Sequence, residues 1–314
     1  MENVWIIGAG GIAIEYAKVL DALGVNYIVI GRGQKNAEYF SSQIHKPVIT
    51  GGLENFINER PVLPDMAIIA VNVAELSNTS IQLMKYGVRK ILVEKPGFNC
   101  PSELDNVYDI VKQTNSQVFL AYNRRFYSSV LEAEEILRED GGIKSFNFEF
   151  TEWIHVLEEI SKSTGKVFSN LFYTNSSHVV DLAFFLGGEP VQLSSYSAGS
   201  LPLHTPAIFA GAGITDKEAL FSYQANWSAP GRWSVELLTE KHRLYLKPME
   251  ALQIQKIGSL AIGPVEVDNH LDIDFKPGFY LQTKSFIEGD YTRFCTIEKQ
   301  KMNIDNIYRL IAGY

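Results

Sequence analysis

The opening residues of this chain restrict its fold more than any other stretch. Val4-Trp5-Ile6-Ile7 is a short apolar run, the pattern of a buried strand. It leads straight into Gly8-Ala9-Gly10-Gly11-Ile12-Ala13 and then an amphipathic segment from Glu15 to Leu23. Strand, glycine turn and helix in that order turn a G-x-G-x-x-A match into a dinucleotide-binding fingerprint. Gly8 permits a tight turn, Gly10 lets the main chain approach a pyrophosphate, and Ala13 keeps helix and strand close. The competing reading is a glycine-rich turn without a ligand. The order of the elements favours the dinucleotide, with Gly8, Ala9, Gly10, Gly11 and Ile12 as its expected cradle.

A second strand, Tyr27-Ile28-Val29-Ile30, ends where an NAD-type fold offers an acidic side chain to the adenosine ribose, yet the chain continues Gly31-Arg32-Gly33-Gln34-Lys35. With no carboxylate to accept from the 2′-hydroxyl, and with Arg32 and Lys35 able to pair with a 2′-phosphate, NADP(H) is expected over NAD(H). Arg32 stacking on the adenine is the alternative. Further units follow through Val48-Ile49, a strand at Met66–Val71, a helix over about Ala74–Tyr86, a strand ending at Val93, a helix over about Pro101–Gln113 and a strand at Val118–Ala121. This alternation predicts a Rossmann-type, doubly wound parallel sheet over residues 1–122.

From residue 123 the grammar changes. A charged amphipathic helix spans Ser128–Glu139, Gly141-Gly142 ends it, and Phe146-Asn147-Phe148-Glu149-Phe150 alternates with a period of two. Alternating runs recur at Val191–Tyr196, Ala219–Trp227, Trp233–Leu238, Arg243–Leu246 and Leu252–Ile257, and helices are expected at Phe279–Glu288 and Ile304–Ala312. Residues 123–314 therefore read as a second domain, for substrate binding and oligomerisation, built on an open, mostly antiparallel sheet. An apolar outer face on that sheet would need covering, so a homodimer or homotetramer through it is expected. The loop Gly199–Gly213, with Phe209 exposed, reads as a lid or a dimer arm.

Two stretches carry candidate chemistry. In Ile91-Leu92-Val93-Glu94-Lys95-Pro96-Gly97 a buried strand ends on a charged pair, and ligands of open parallel sheets sit beyond such carboxyl ends. Lys95 is either a site lysine or a solvated one held near Glu94. In Ser176 to Gly188 a helix capped by Asn175 or Ser176 would carry His178 in its first turn and Asp181 on the same face. A histidine there has its pKa lowered and suits proton acceptance near neutrality; a core or capping histidine is the other reading. Tyr223, Asn226-Trp227 and Arg232-Trp233 form an aromatic and polar group that suits either sugar binding or packing.

Composition excludes several classes. The 314 residues suit two domains, and a hydrophobic content of 46% with 20% charged residues is that of a globular protein. A formal net charge of −8 offers no basic surface for nucleic acid. The two cysteines, Cys100 and Cys295, lie far apart, and the histidines lack ligand spacing, so neither a disulfide scaffold nor a metal site is expected. With no basic leader and no membrane-length apolar run, a cytoplasmic location is expected.

Taken together, the glycine turn, E-K-P after what counts as the fifth strand, Asn123-Arg124-Arg125-Phe126 at the domain crossing, H-x-x-D on a helix, and Pro277-Gly278-Phe279 before the penultimate helix resemble the Gfo/Idh/MocA oxidoreductase family. The resemblance implies hydride transfer between a nicotinamide cofactor and a hydroxyl or keto carbon of a sugar, sugar nucleotide or cyclitol, without a metal. It implies that Lys95 orients substrate and favours an alkoxide, that His178 accepts the hydroxyl proton, and that Glu94 and Asn123 lie near the nicotinamide. Arg125 would secure the domain junction and Asp181 would hold the histidine or a substrate hydroxyl. The sequence departs from the family at Thr174, where an aspartate is usual, and at Val71-Asn72, where a T-P turn is usual. The resemblance also admits a reductase of an unsaturated or imine substrate, as in the family's biliverdin-reductase branch, and Thr174 leaves room for a non-catalytic dinucleotide-binding sensor or co-repressor.

Overall fold

The fold is seen in a computed structural model that describes residues 3–164, 170–202 and 204–313. The first part alternates β1 (Asn3–Ile7), α1 (Gly11–Ala22), β2 (Asn26–Ile30), α2 (Gln34–Ile44), α3 (Gly52–Asn58), β3 (Met66–Ile69), α4 (Leu76–Tyr86), β4 (Lys90–Val93), α5 (Pro101–Thr114) and β5 (Gln117–Leu120). There follow α6 (Ser128–Glu139), β6 (Ser145–Glu149), α7 (Ile154–Thr164), α8 (Ser177–Gly187), β7 (Pro190–Ala198), β8 (Ile208–Thr215), β9 (Leu220–Asn226), β10 (Ser234–Leu238), β11 (His242–Leu246), β12 (Gln253–Lys256) and β13 (Ile262–Pro264). The chain closes with α9 (His270–Asp274), α10 (Phe279–Glu288), β14 (Cys295–Thr296), α11 (Ile297–Asn303) and α12 (Arg309–Ala312).

The chain divides into two compact units, Met1–Asn123 with Leu271–Met302, and Arg124–His270 with Asn303–Tyr314. In the first, the strand order is β14-β5-β4-β3-β1-β2, with β1 to β5 all parallel. The order reverses between β1 and β3, and in a doubly wound sheet that reversal opens the ligand crevice at the strands' carboxyl ends. The sequence reading assigned all of 123–314 to the second domain, whereas 271–302 packs with the first unit. Strand β14 adds antiparallel to β5, pairing Cys295 with Leu120, and the Phe279 ring of α10 lies 4.9 Å from Tyr16 of α1. The E-K-P strand is β4, the fourth and not the fifth, because Val48-Ile49 makes only an isolated bridge to Ile30.

The second unit holds an eight-stranded sheet, β13-β12-β11-β10-β6-β9-β8-β7, antiparallel except for the pair β6 and β9. Its inner face is a ladder of rings: Phe146 stacks on Phe221 at 5.4 Å and Phe148 on Tyr223 at 5.3 Å, with the edge of Phe184 from α8 against them. Residues 208–213, expected within a loop, belong to β8, and Phe209 is buried at 2% exposure. The glycines that hid this strand serve it. A Cβ on Gly211 would sit 2.4 Å from the Tyr223 ring and one on Gly213 2.6 Å from Phe221, so only glycine lets those rings lie flat on β8. The outer face is less apolar than expected: Asn147, Glu236, Arg243, Tyr245 and Gln255 lie at its centre, and Glu236 pairs with Arg243.

Candidate functional site

In the first unit the glycine turn is built as its spacing requires, with one change of role. Gly8 has φ +118°, and a Cβ there would come within 2.3 Å of the Ala70 carbonyl oxygen, so Gly8 lets β1 and β3 close at the sheet's reversal point. Gly10 caps α1 in an extended conformation open to any residue (φ −90°, ψ −175°), yet a Cβ on Gly10 or Gly11 would meet nothing within 4 Å. Helix α1 starts at Gly11, four residues earlier than the amphipathic pattern suggests. It has no side-chain cap and no acid in its first turn, which leaves its first N–H groups and the positive end of its dipole facing that open space. A pyrophosphate fits such a cradle by size and by charge. Ala13 is fully buried against the sheet.

Arg32, just beyond β2, is exposed and reaches Glu75 Oε1 at 3.3 Å. The carboxylate missing from the end of β2 is thus supplied from the turn after β3, a proximity that strand spacing does not reveal. Glu94 and Lys95 follow β4, where Gly97, with φ +86°, passes Leu120 too closely for a Cβ. Tyr16 of α1 donates to Glu94 Oε1 at 2.7 Å and lies 3.4 Å from Gln282 Oε1. Burial pushes the Glu94 pKa up, against the Tyr16 hydrogen bond and the nearby charges of Lys95 and Lys276. Lys95 keeps some exposed surface. Asn123 is 6% exposed and donates through Nδ2 to the Pro277 carbonyl at 2.9 Å, tying the end of β5 to the turn before α10.

In the second unit His178 is 6% exposed, its ring 6.2 Å from that of Trp233. The expected cap is absent. Helical turns begin at Leu171, and a π turn over Phe172–Ser176 runs directly into α8. His178 is therefore beyond the first turn, where the helix dipole has faded. Ser176 Oγ donates to Glu152 Oε1 at 2.6 Å and Asn175 Nδ2 to Glu152 Oε2 at 2.8 Å; neither side chain caps a helix. Thr174 Oγ1 donates to the Asn170 carbonyl at 3.3 Å.

Asp181 accepts two hydrogen bonds from Arg125, Nε to Oδ2 at 2.8 Å and Nη2 to Oδ1 at 2.6 Å, and both side chains are buried. This carboxylate, expected to hold the histidine or a substrate hydroxyl, is engaged in a fork with an arginine that also lies 4.6 Å from the Phe185 ring. The aromatic group divides. Tyr223 and Trp227 are core residues, bonded to Ser195 Oγ and the Phe150 carbonyl. Trp233 instead carries the guanidinium of Arg124 at 4.7 Å and of Arg232 at 4.4 Å. Burial lowers the pKa of Arg124, and Arg232 adds to that effect.

The residue missed is Glu152, 2% exposed, with Arg232 Nη1 3.7 Å from its Oε2. Burial raises its pKa despite Ser176, Arg232, Asn175 and Trp233. Its signal was legible: Phe146, Phe148 and Phe150 point inward at a period of two, and Glu152 keeps that parity. Tyr16 and Gln282 were also missed, because they lie on helices far apart in sequence. Among the described residues no group of three or more His, Cys, Asp or Glu could hold a metal ion, and no helix is long and apolar enough to cross a membrane.

Solved structures share this fold over nearly the whole chain. Levoglucosan dehydrogenase, in complex with NADH and L-sorbose, is similar at TM-score 0.77 and 16% identity, covering 99% of this chain and 96% of that one. A dehydrogenase from Clostridium difficile gives TM-score 0.77 at 15% identity, covering 100% and 99%. UDP-N-acetylglucosamine 3-dehydrogenase from Acidithiobacillus ferrooxidans gives 0.73 at 12%, covering 99% and 97%. No curated protein matches the chain in sequence. The family model described as oxidoreductase family, NAD-binding Rossmann fold, matches residues 2–122. Over these residues the chain is similar to the NAD-binding Rossmann domain of the Gfo/Idh/MocA oxidoreductase family.

Proposed function

We propose that the chain is an NAD(P)-dependent oxidoreductase that moves a hydride between a nicotinamide cofactor and a hydroxyl or keto carbon of a sugar, sugar nucleotide or cyclitol. The observation that carries this reading is the open space over Gly10 and Gly11 at the bare amino end of α1, within a domain that matches the oxidoreductase family. The sugar class is suggested by the relatives, one in complex with L-sorbose and one a UDP-N-acetylglucosamine dehydrogenase.

In this reading the turn from Gly8 to Ile12 holds the pyrophosphate on backbone N–H groups, and Glu94 and Asn123 border the nicotinamide. A bound nicotinamide supplies the hydride acceptor. Lys95 orients the substrate oxygen and stabilises negative charge developing on it, while His178 accepts the hydroxyl proton. Asp181 acts through Arg125 to hold the helix that carries His178. Arg32 favours NADP(H) by pairing with a 2′-phosphate, which would displace Glu75 from it. The mixed sheet of the second unit forms a homodimer or homotetramer contact, and two cysteines without a disulfide, Cys100 and Cys295, suit the reducing cytoplasm.

The test is a screen of polyols and sugar nucleotides that follows reduced-cofactor absorbance, with His178→Ala alongside. Loss of turnover with cofactor affinity retained supports the assignment, and normal turnover across the pH range refutes it. Thr174 motivates a second reading, a cofactor-loaded sensor, which predicts tight cofactor binding and no turnover with any polyol, enone or imine.

A further inference from the structure

Position 174, one turn before His178, is a threonine, so this stretch of helix supplies no acid of its own. The structure places a carboxylate beside it from another element. Glu152 follows β6 on the parity of the inward phenylalanines and is 2% exposed. Both of its oxygens are used: Oε1 accepts from Ser176 Oγ at 2.6 Å, and Oε2 accepts from Asn175 Nδ2 at 2.8 Å with Arg232 Nη1 at 3.7 Å. The two donors at 175 and 176 close the π turn from which α8 departs, two residues before His178. The His178 ring lies 6.2 Å from that of Trp233, and Arg232, next in sequence to Trp233, belongs to the set around Glu152.

A π turn holds its hydrogen bonds one residue further along than an α turn, so it persists only where surrounding contacts fix it, and it sets the rotational phase of every side chain that follows. Relaxation to α pitch over five residues would turn His178 by on the order of tens of degrees. Burying a carboxylate is costly, and a core phenylalanine would continue the ladder more simply. The retained acid therefore serves something other than packing.

We propose that Glu152 is the positioning residue for His178, pinning the π turn through Asn175 and Ser176 and so fixing the direction in which the imidazole projects. Its catalytic consequence rests on the reading above, in which His178 takes the substrate proton; its structural content does not. The two are separated by a measurement that needs no substrate.

Protein labelled with 15N-histidine is compared as parent, Glu152→Gln, Glu152→Asp and His178→Gln, the last identifying the His178 signals by their loss. Glutamine keeps the shape but cannot accept at both ends, so the His178 ring resonances move. Amide exchange across 172–178 quickens by about tenfold, the equilibrium worth of one lost hydrogen bond to a charged group. His242, whose partner is Asp140, stays in place. Glu152→Asp restores part of the shift. If Glu152→Gln does not fold, Ser176→Ala and Asn175→Ala remove one donor each and carry the same readout with smaller displacements. Unchanged His178 resonances and unchanged exchange in the folded variants overturn the proposal. With a substrate from the screen, Glu152→Gln lowers kcat with cofactor affinity intact, and it costs nothing further in a His178→Gln background. Turnover that survives His178→Ala would defeat the functional reading while leaving the resonance result to decide the placement.

Discussion

Gly8 and Gly10 lie two residues apart in one turn, and the structure gives them opposite liabilities. Gly10→Ala puts a methyl into a conformation any residue adopts, with no atom within 4 Å. The loss of about 0.5–1 kcal/mol at the helix cap is offset by about 0.4–1 kcal/mol from a less flexible unfolded chain, so net stability changes by less than about 1 kcal/mol. The same methyl occupies the space through which the backbone would reach a pyrophosphate. Losing one or two charge-assisted hydrogen bonds, each worth about 1.5–3 kcal/mol, weakens cofactor binding by roughly 100-fold. Gly8→Ala is the reverse case. Its φ of +118° is strained for alanine, and the new Cβ would lie 2.3 Å from the Ala70 carbonyl oxygen, part of a backbone that cannot rotate away. The cost is on the order of 3 kcal/mol or more in folding. Urea unfolding followed by tryptophan fluorescence, with NADPH and NADH titrations on the folded fraction, measures both. A Gly10→Ala variant that binds both cofactors like the parent, or that is as destabilised as Gly8→Ala, would refute the assignment of this turn.

Removing one side of the buried Arg125–Asp181 fork by Asp181→Asn leaves a guanidinium without its countercharge and lowers stability by about 3–5 kcal/mol in urea unfolding; a loss below about 1 kcal/mol contradicts the structural role. Glu75→Gln releases Arg32 and raises the NADPH to NADH affinity ratio several-fold, while Arg32→Ala lowers it; equal ratios in fluorescence titration would remove Arg32 from cofactor choice. Burial raises the Glu152 pKa above its ordinary 4.5, so the folded parent holds that proton to higher pH than the unfolded chain does and loses stability as pH rises from 4.5 through the raised value. Glu152→Gln has no such loss, and its stability relative to the parent increases between pH 4 and pH 7; a flat or falling difference in thermal midpoints would contradict the burial of that charge.

Much of this architecture was legible from local pattern. A short apolar run, a glycine turn and an amphipathic segment depend on residues within a dozen positions of each other, and so do the alternating runs from 191 to 257. The E-K-P segment and the helix carrying His178 were legible for the same reason. The glycines of β8 misled because a strand that accepts aromatic rings on its surface shares its composition with a loop. The first turn assigned to His178 was wrong because the π turn before it depends on Glu152, and that contact is absent from the segment itself.

Local pattern by itself therefore determined the two kinds of sheet, the glycine turn and which side chains face inward, including the unread parity of Glu152. Tertiary structure alone decided the pairings: Glu152 with Asn175 and Ser176, Asp181 with Arg125, Arg32 with Glu75, and β14 with β5. Each joins residues tens or hundreds of positions apart, where no local propensity acts and only the close packing of a finished core brings charge to charge.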